Sequence, residues 1–136
     1  MIQLYKIMNI HYFADDHKMG VKAHDIILQA LHEKPGLLLC AATGHSPLSA
    51  YQLLAESYNK KPALFTKLRI LKLDEWGGVG MNDPQTCESF LQNNLLNPLK
   101  ISKDRYFGFI SNIDDPQAEC ARIQNILEEQ GPIDLC

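Results

Sequence analysis

No run of apolar residues in this 136-residue chain approaches the roughly 18–20 that a membrane span requires. Residues 1–12 lack a basic region followed by a long apolar stretch, so a secretory signal is not expected. There is no basic block, and the net charge is −3, which disfavours strong nucleic-acid affinity. The cysteines (Cys40, Cys87, Cys120, Cys136) are far apart and include no Cys-x-x-Cys pair. Most disulfide scaffolds are thereby excluded, and reduced thiols in a cytoplasmic protein are expected. His11, His17, His24, His32 and His45 show no tight metal-ligand spacing, so no metal site is expected. No internal repeat or low-complexity tract interrupts the chain.

What is present is an ordinary globular composition, 46% hydrophobic and 21% charged. The length suits one domain that buries about two thirds of its unfolded surface. Short apolar runs alternate with helical patterns, separated by Gly and Pro. Residues 9–13 (NIHYF) read as a short strand. Met8, just before it, offers a second possible start, which makes 1–7 an expected N-terminal extension. Asp15 or Asp16 caps a helix to about Glu33, with Met19, Ala23, Ile26, Ala30 and Leu31 as its apolar face. Residues 37–42 (LLLCAA) and 68–73 (LRILKL) are continuous apolar runs of the kind buried on both faces. Helices are expected between them, over about 86–96, and from Asp115-Pro116 to Gln130. A weaker strand is expected at 106–110 and the opening of another at 133–136. Such alternation predicts an α/β fold with a mostly parallel sheet. Functional loops then lie at the carboxyl ends of the strands, after Ala42 and after Leu73.

Thr43-Gly44-His45-Ser46-Pro47 joins the first buried strand to a helix. Such a turn exposes free backbone N–H groups and the positive end of the helix dipole, which stabilise an anion. Gly44 allows close approach, Ser46 caps the helix or donates a hydroxyl, and Pro47 suits the first helical position. The alternative is a capped helix start with no ligand. After the second strand, Asp74-Glu75-Trp76 sets two carboxylates at the same sheet edge. A partly shielded carboxylate there can act as a general base. Adjacent residues point to opposite sides, so Asp74 and Glu75 have different jobs. The alternative gives Asp74 a turn cap and Glu75 a surface ion pair. Lys72 either faces the site or snorkels to the sheet end. The glycines at 77, 78 and 80 give the loop freedom to move as a lid.

Taken together, residues 39–54 (LCAATGHSPLSAYQLL), 71–91 (LKLDEWGGVGMNDPQTCESFL) and 118–136 resemble the glucosamine-6-phosphate deaminase family. The chain is most similar to the galactosamine-6-phosphate isomerase/deaminase branch, and the resemblance runs from about residue 8. The related 6-phosphogluconolactonases carry Asp-Glu-Arg where this chain has Asp74-Glu75-Trp76, which favours the amino-sugar branch. The resemblance implies a three-layer, Rossmann-like α/β fold, mostly parallel, with helices on both sheet faces. It implies that Thr43, Gly44, His45 and Ser46 grip a sugar phosphate. It makes Asp74 the base that moves a proton between C1 and C2, with Glu75 and Lys72 as supporting residues. The implied reaction turns galactosamine 6-phosphate or glucosamine 6-phosphate into a ketohexose 6-phosphate plus ammonia, with no cofactor.

This sequence departs from the family at two points. His45 stands where many relatives have a second glycine; turned inward, it would add a bond to phosphate. The sequence also stops where relatives continue into an Asn-Gly-His loop that supplies the ring-opening histidine. Residues 8–136 are therefore expected to be the N-terminal part of a single domain. Its exposed apolar edge strand would favour homo-oligomers or strand swapping. A sugar-phosphate-binding fragment without catalysis and a lactonase-type hydrolase are the alternative readings.

Overall fold

The computed structural model describes residues 8–136, so the extension expected at 1–7 lies outside the described residues. The apolar runs form parallel strands β1 (Leu38–Ala41) and β2 (Arg69–Lys72), with β3 (Tyr106–Phe107) beyond, in the order β1-β2-β3. Leu38 pairs with Arg69 and Ala41 with Lys72; Ile70 pairs with Tyr106. Side chains alternate across the sheet. Leu39, Ala41 and Ile70 join a large core with Ile27, Leu31, Tyr51, Leu54, Leu91 and Leu95. Leu38, Cys40 and Leu71 face the other way, onto Ile123, Ile126 and Leu127. These contacts give the three layers, with α1 (Asp16–Glu33), α2 (His45–Lys60) and α3 (Cys87–Leu91) on one face. On the opposite face lies α4 (Pro116–Gln130). The expected α/β fold class is the observed one.

Local chemistry sets the helix ends. The Asp15 carboxylate accepts from the Lys18 N–H at 2.7 Å, and Asp115 from Gln117 and Ala118. Thr86 Oγ1 accepts from the Ser89 N–H at 3.1 Å and starts α3. Gly20 of α1 sits so close to α2 that a Cβ there would collide with the Ser49 side chain. This contact turns α1's buried stripe onto Gly20, Ile27 and Leu31. Met19 and Ile26, expected to face the core, are partly exposed, while Ala23 and Ala30 flank the stripe.

Three other elements are shorter than the apolar pattern suggests. Residues 9–13 form no strand; Ile10, Tyr12 and Phe13 are exposed, and no strand edge among the described residues pairs with them. β3 ends at Phe107 because α4 takes the following backbone groups. Arg122 donates to the Gly108 carbonyl at 2.7 Å, and the Ile110 N–H donates to Glu119 at 2.7 Å. At 133–136 only Leu135 bridges, in parallel, to Leu39. There the Asp134 carboxylate, rather than a carbonyl, takes the Leu38 N–H at 2.8 Å. The helix expected at 86–96 changes to a π turn at Gln92–Leu96, where the Asn94 side chain donates to the Phe90 carbonyl.

Two arginines close the amino ends of the strands. Arg69 donates to the Gly36 and Gln130 carbonyls at 2.9 and 2.7 Å. Arg105 reaches the Phe65 and Leu68 carbonyls, both at 3.0 Å, and Lys100 at 3.1 Å. No helix among the described residues is long and apolar enough to cross a membrane.

Candidate functional site

The first loop leaves β1 at Ala42, whose carbonyl accepts from the buried Tyr51 hydroxyl at 2.7 Å. That bond fixes the end of the strand against α2. The chain then turns at Gly44, with φ 97° and ψ −167°, a region almost reserved for glycine. Gly44, not Ser46, is the residue before the helix, and no side chain caps it. Ser46 and Pro47 lie inside the first turn of α2. The His45 and Ser46 N–H groups therefore precede any intrahelical partner. Thr43 is half-buried, whereas Gly44, His45 and Ser46 are exposed. The His45 ring turns toward α1, its Nε2 lying 3.1 Å from Asp16 Oδ2, so it faces away from the turn.

The second loop leaves β2 after Lys72. Lys72 shares the inward face of Ile70, and its side chain is fully buried. Its Nζ lies 2.7 Å from Glu75 Oε2 and 2.9 Å from Glu88 Oε2. Glu88 also accepts from Tyr106 Oη at 2.7 Å and from Gln92 at 2.9 Å. Glu75 Oε1 accepts from the Trp76 and Cys87 N–H groups, both at 2.9 Å; Oε2 accepts the Glu88 N–H at 2.8 Å. Glu75 is thus a buried cap for α3, not a surface ion-pair partner, and Lys72 neither snorkels nor reaches solvent. Burial alone would raise the Glu75 carboxyl. The Lys72 bond and the three backbone N–H groups outweigh it and hold the group below its ordinary value. Burial likewise opposes Glu88, and Gln92, Tyr106 and Lys72 together lower it. Burial, then Glu88, pushes the Tyr106 hydroxyl upward.

Asp74 is exposed, and it lines a cleft of about 430 Å³ with Trp76, Gly78, Phe109, Ile113 and Pro116. Its Oδ1 lies 3.8 Å from the Cys87 thiol, and Thr43 Oγ1 lies 3.5 Å from the same sulfur. The two loops therefore meet at one buried thiol. Burial raises the Cys87 pKa; the Thr43 bond opposes this, and the Glu75 and Asp74 charges reinforce it. Cys87 at neutral pH is a thiol, not a nucleophilic thiolate. The glycine-rich stretch is tied down at Ser111, whose carbonyl accepts the Gly78 N–H at 2.8 Å and whose Oγ donates to Val79 at 2.6 Å.

Sequence reasoning brought Thr43 and Asp74 to one sheet edge but missed Cys87, Glu88 and Tyr106. A lysine inside an apolar strand was a signal that an acidic partner had to exist; nothing in the sequence marked Cys87 as the meeting point. Among the described residues, no group of three or more His, Cys, Asp or Glu could hold a metal ion.

Comparison with known proteins gives this site a context. No family model matches the chain. A protein of Escherichia coli (strain K12) named as a deaminase, AgaI, is 34% identical over 87% of this chain and 47% of its own. Glucosamine-6-phosphate deaminase from Bacillus pumilus (strain SAFR-032) is 29% identical over 94% of this chain and 53% of its own. The same enzyme from Clostridium tetani (strain Massachusetts / E88) is 34% identical over 80% and 45%. The solved structure of a monomeric glucosamine-6-phosphate deaminase of the NagB superfamily superposes with a TM-score of 0.87 at 24% identity. That match covers 93% of this chain and 53% of the other. The chain spans about half the length of the curated relatives it matches, and over its own span it has the fold of the solved deaminase. Over the span it covers, this chain is similar in sequence to proteins named glucosamine-6-phosphate deaminase, and it has the fold of one of them.

Proposed function

We propose that the chain carries the phosphate-gripping turn and the general base of an amino-sugar-phosphate isomerase/deaminase. The substrate is galactosamine 6-phosphate or glucosamine 6-phosphate, and the products are a ketohexose 6-phosphate and ammonia. The convergence of Thr43 and Asp74 on Cys87 is the observation that carries this reading. One ligand can then meet the first loop with its phosphate and the second with its reacting carbons. The phosphate accepts from the His45 and Ser46 N–H groups and from the Thr43 and Ser46 hydroxyls, in the positive field of α2. That remote grip supplies binding energy that the reacting end does not provide. Asp74, with no lysine or arginine bound to it among the described residues, takes the proton from one of C1 and C2 and returns it to the other. Loss of ammonia follows as water replaces the amine on the isomerised sugar. Glu75 and Lys72 support the base. The reaction is placed in carbohydrate catabolism and in the cytoplasm.

Ammonia release from both sugars, given in parallel, tests the proposal. Turnover that falls by about 10²–10⁴-fold in Asp74→Asn, with inorganic phosphate binding unchanged, supports it. No release above that control from either sugar sinks the enzymatic reading. Phosphate binding alone would then leave a sugar-phosphate-binding fragment, and hydrolysis of 6-phosphogluconolactone would instead support the lactonase alternative.

A further inference from the structure

The cluster of Lys72, Glu75, Glu88 and Tyr106 contains titratable groups that the proposed chemistry does not consume. All are buried or half-buried, and every buried side-chain N or O atom among the described residues has a partner. Glu75 accepts four hydrogen bonds, as many as a carboxylate has lone-pair sites. It has no capacity left to take a substrate proton. What its bonds do is mechanical. Two come from the first N–H groups of α3, one from the following residue of its own loop, and one from Lys72 at the end of β2.

We infer that Glu75 is the positioning residue for Asp74. Its carboxylate, balanced by Lys72, pins the loop after β2 onto the N-terminus of α3 and fixes the backbone from which Asp74 projects. The inference rests on the reading of Asp74 as the base. Asp74 lies between two anchors, Lys72 two residues before it and Glu75 one residue after, and both are tied to α3. The same bonds bring Cys87 under Asp74, since the Cys87 N–H is one of those Glu75 holds. The Glu88 carboxylate bonds to Lys72 and accepts from the Tyr106 hydroxyl, and neither of these side-chain groups bonds to the Asp74 loop among the described residues. Their part is to complete the shell around Lys72. A glutamine at position 75 would put an NH2 group where the protein already presents N–H donors, so it cannot reproduce the anchor.

The test uses the 136-residue chain and two readouts that need no turnover. One is hydrogen exchange at the Cys87 and Glu88 amides, and the other is the carbon-13 resonance of the Asp74 carboxyl at constant pH. In Glu75→Gln both amides should exchange faster by about fivefold or more, the loss of a helix cap, and the Asp74 resonance should move or split. Glu88→Gln should leave the Asp74 resonance in place. An Asp74 resonance that stays put while the amides lose protection would reduce Glu75 to a structural cap and overturn the inference. So would amides that remain protected, or an equal shift in Glu88→Gln. If Glu75→Gln does not fold, Glu75→Asp carries the same two readouts, keeping the charge and shortening the reach by one carbon. Ammonia release is scored separately. Its absence in the wild type counts against Asp74 as base, while the resonances still decide the role of Glu75.

Discussion

The two loops at the carboxyl edge of the sheet solve opposite problems. Among the described residues, nothing claims the donors of the turn after β1. A glycine stands where a capping side chain would be, and the first N–H groups of α2 precede any intrahelical partner. The loop after β2 meets its helix donors with its own carboxylate and leaves Asp74 exposed. Glu75 takes up the first N–H groups of α3, and Lys72 neutralises it from below. Two helix N-termini thus differ in whether the protein itself supplies the anion. Where it does, the neighbouring residue is held still; where it does not, a ligand can be received.

The largest effect should come from breaking the second loop at its cation. Lys72→Met would leave Glu75 and Glu88 buried without their counter-charge, which costs about 3–5 kcal/mol. Urea unfolding measures it; a loss under about 1 kcal/mol would mean the cluster is more hydrated than its burial indicates. Acid attacks the same loop. Glu75 and Glu88 are held below their ordinary values, so their contribution is present above the unfolded carboxylate range near pH 4.3. It is lost as the pH falls through their lower folded values, by at most about 1.4 kcal/mol per group per pH unit. Unfolding free energy followed from pH 6 downward should show this slope, flattened in Glu75→Gln. The smallest effect belongs to the first loop. A Cβ on Gly44 meets nothing within 4 Å, so Gly44→Ala pays only backbone strain, about 1–3 kcal/mol. Its sharper signature is weakened inorganic phosphate binding with the second loop's amides unchanged. Equal weakening in Lys72→Met would show that the loops are not separable.

Much of this was legible in the residues. The apolar runs before Thr43 and Asp74 announced central parallel strands, and Asp15 and Asp115 announced their helices through cap chemistry that acts within four residues. The different surroundings of Asp74, exposed, and Glu75, buried, followed from the alternation of an extended chain. What could not be read was set by side chains reaching across the fold. Glu88 stands sixteen residues from Lys72, and no periodicity joins a strand end to a helix start. Residues 9–13 have strand composition, but a strand also needs an edge to pair with. β3 and the 133–136 segment were shortened by Arg122, Glu119 and Asp134, whose side chains occupy backbone groups that a ladder would otherwise use. On α1, Gly20 reads as a weak helix former, and its value as the point of contact with Ser49 emerges only once α2 is in place.

The arginines at the opposite edge have a consequence for how such a protein can change. Arg69 and Arg105 gather carbonyls from the segments that lead into the strands, and nothing they hold touches Thr43, Asp74 or Cys87. One rim of the sheet therefore secures the scaffold while the other carries the proposed site. Substitutions at the loop-bearing rim can accumulate over an independently fastened base, so the proposed site can vary without refounding the fold.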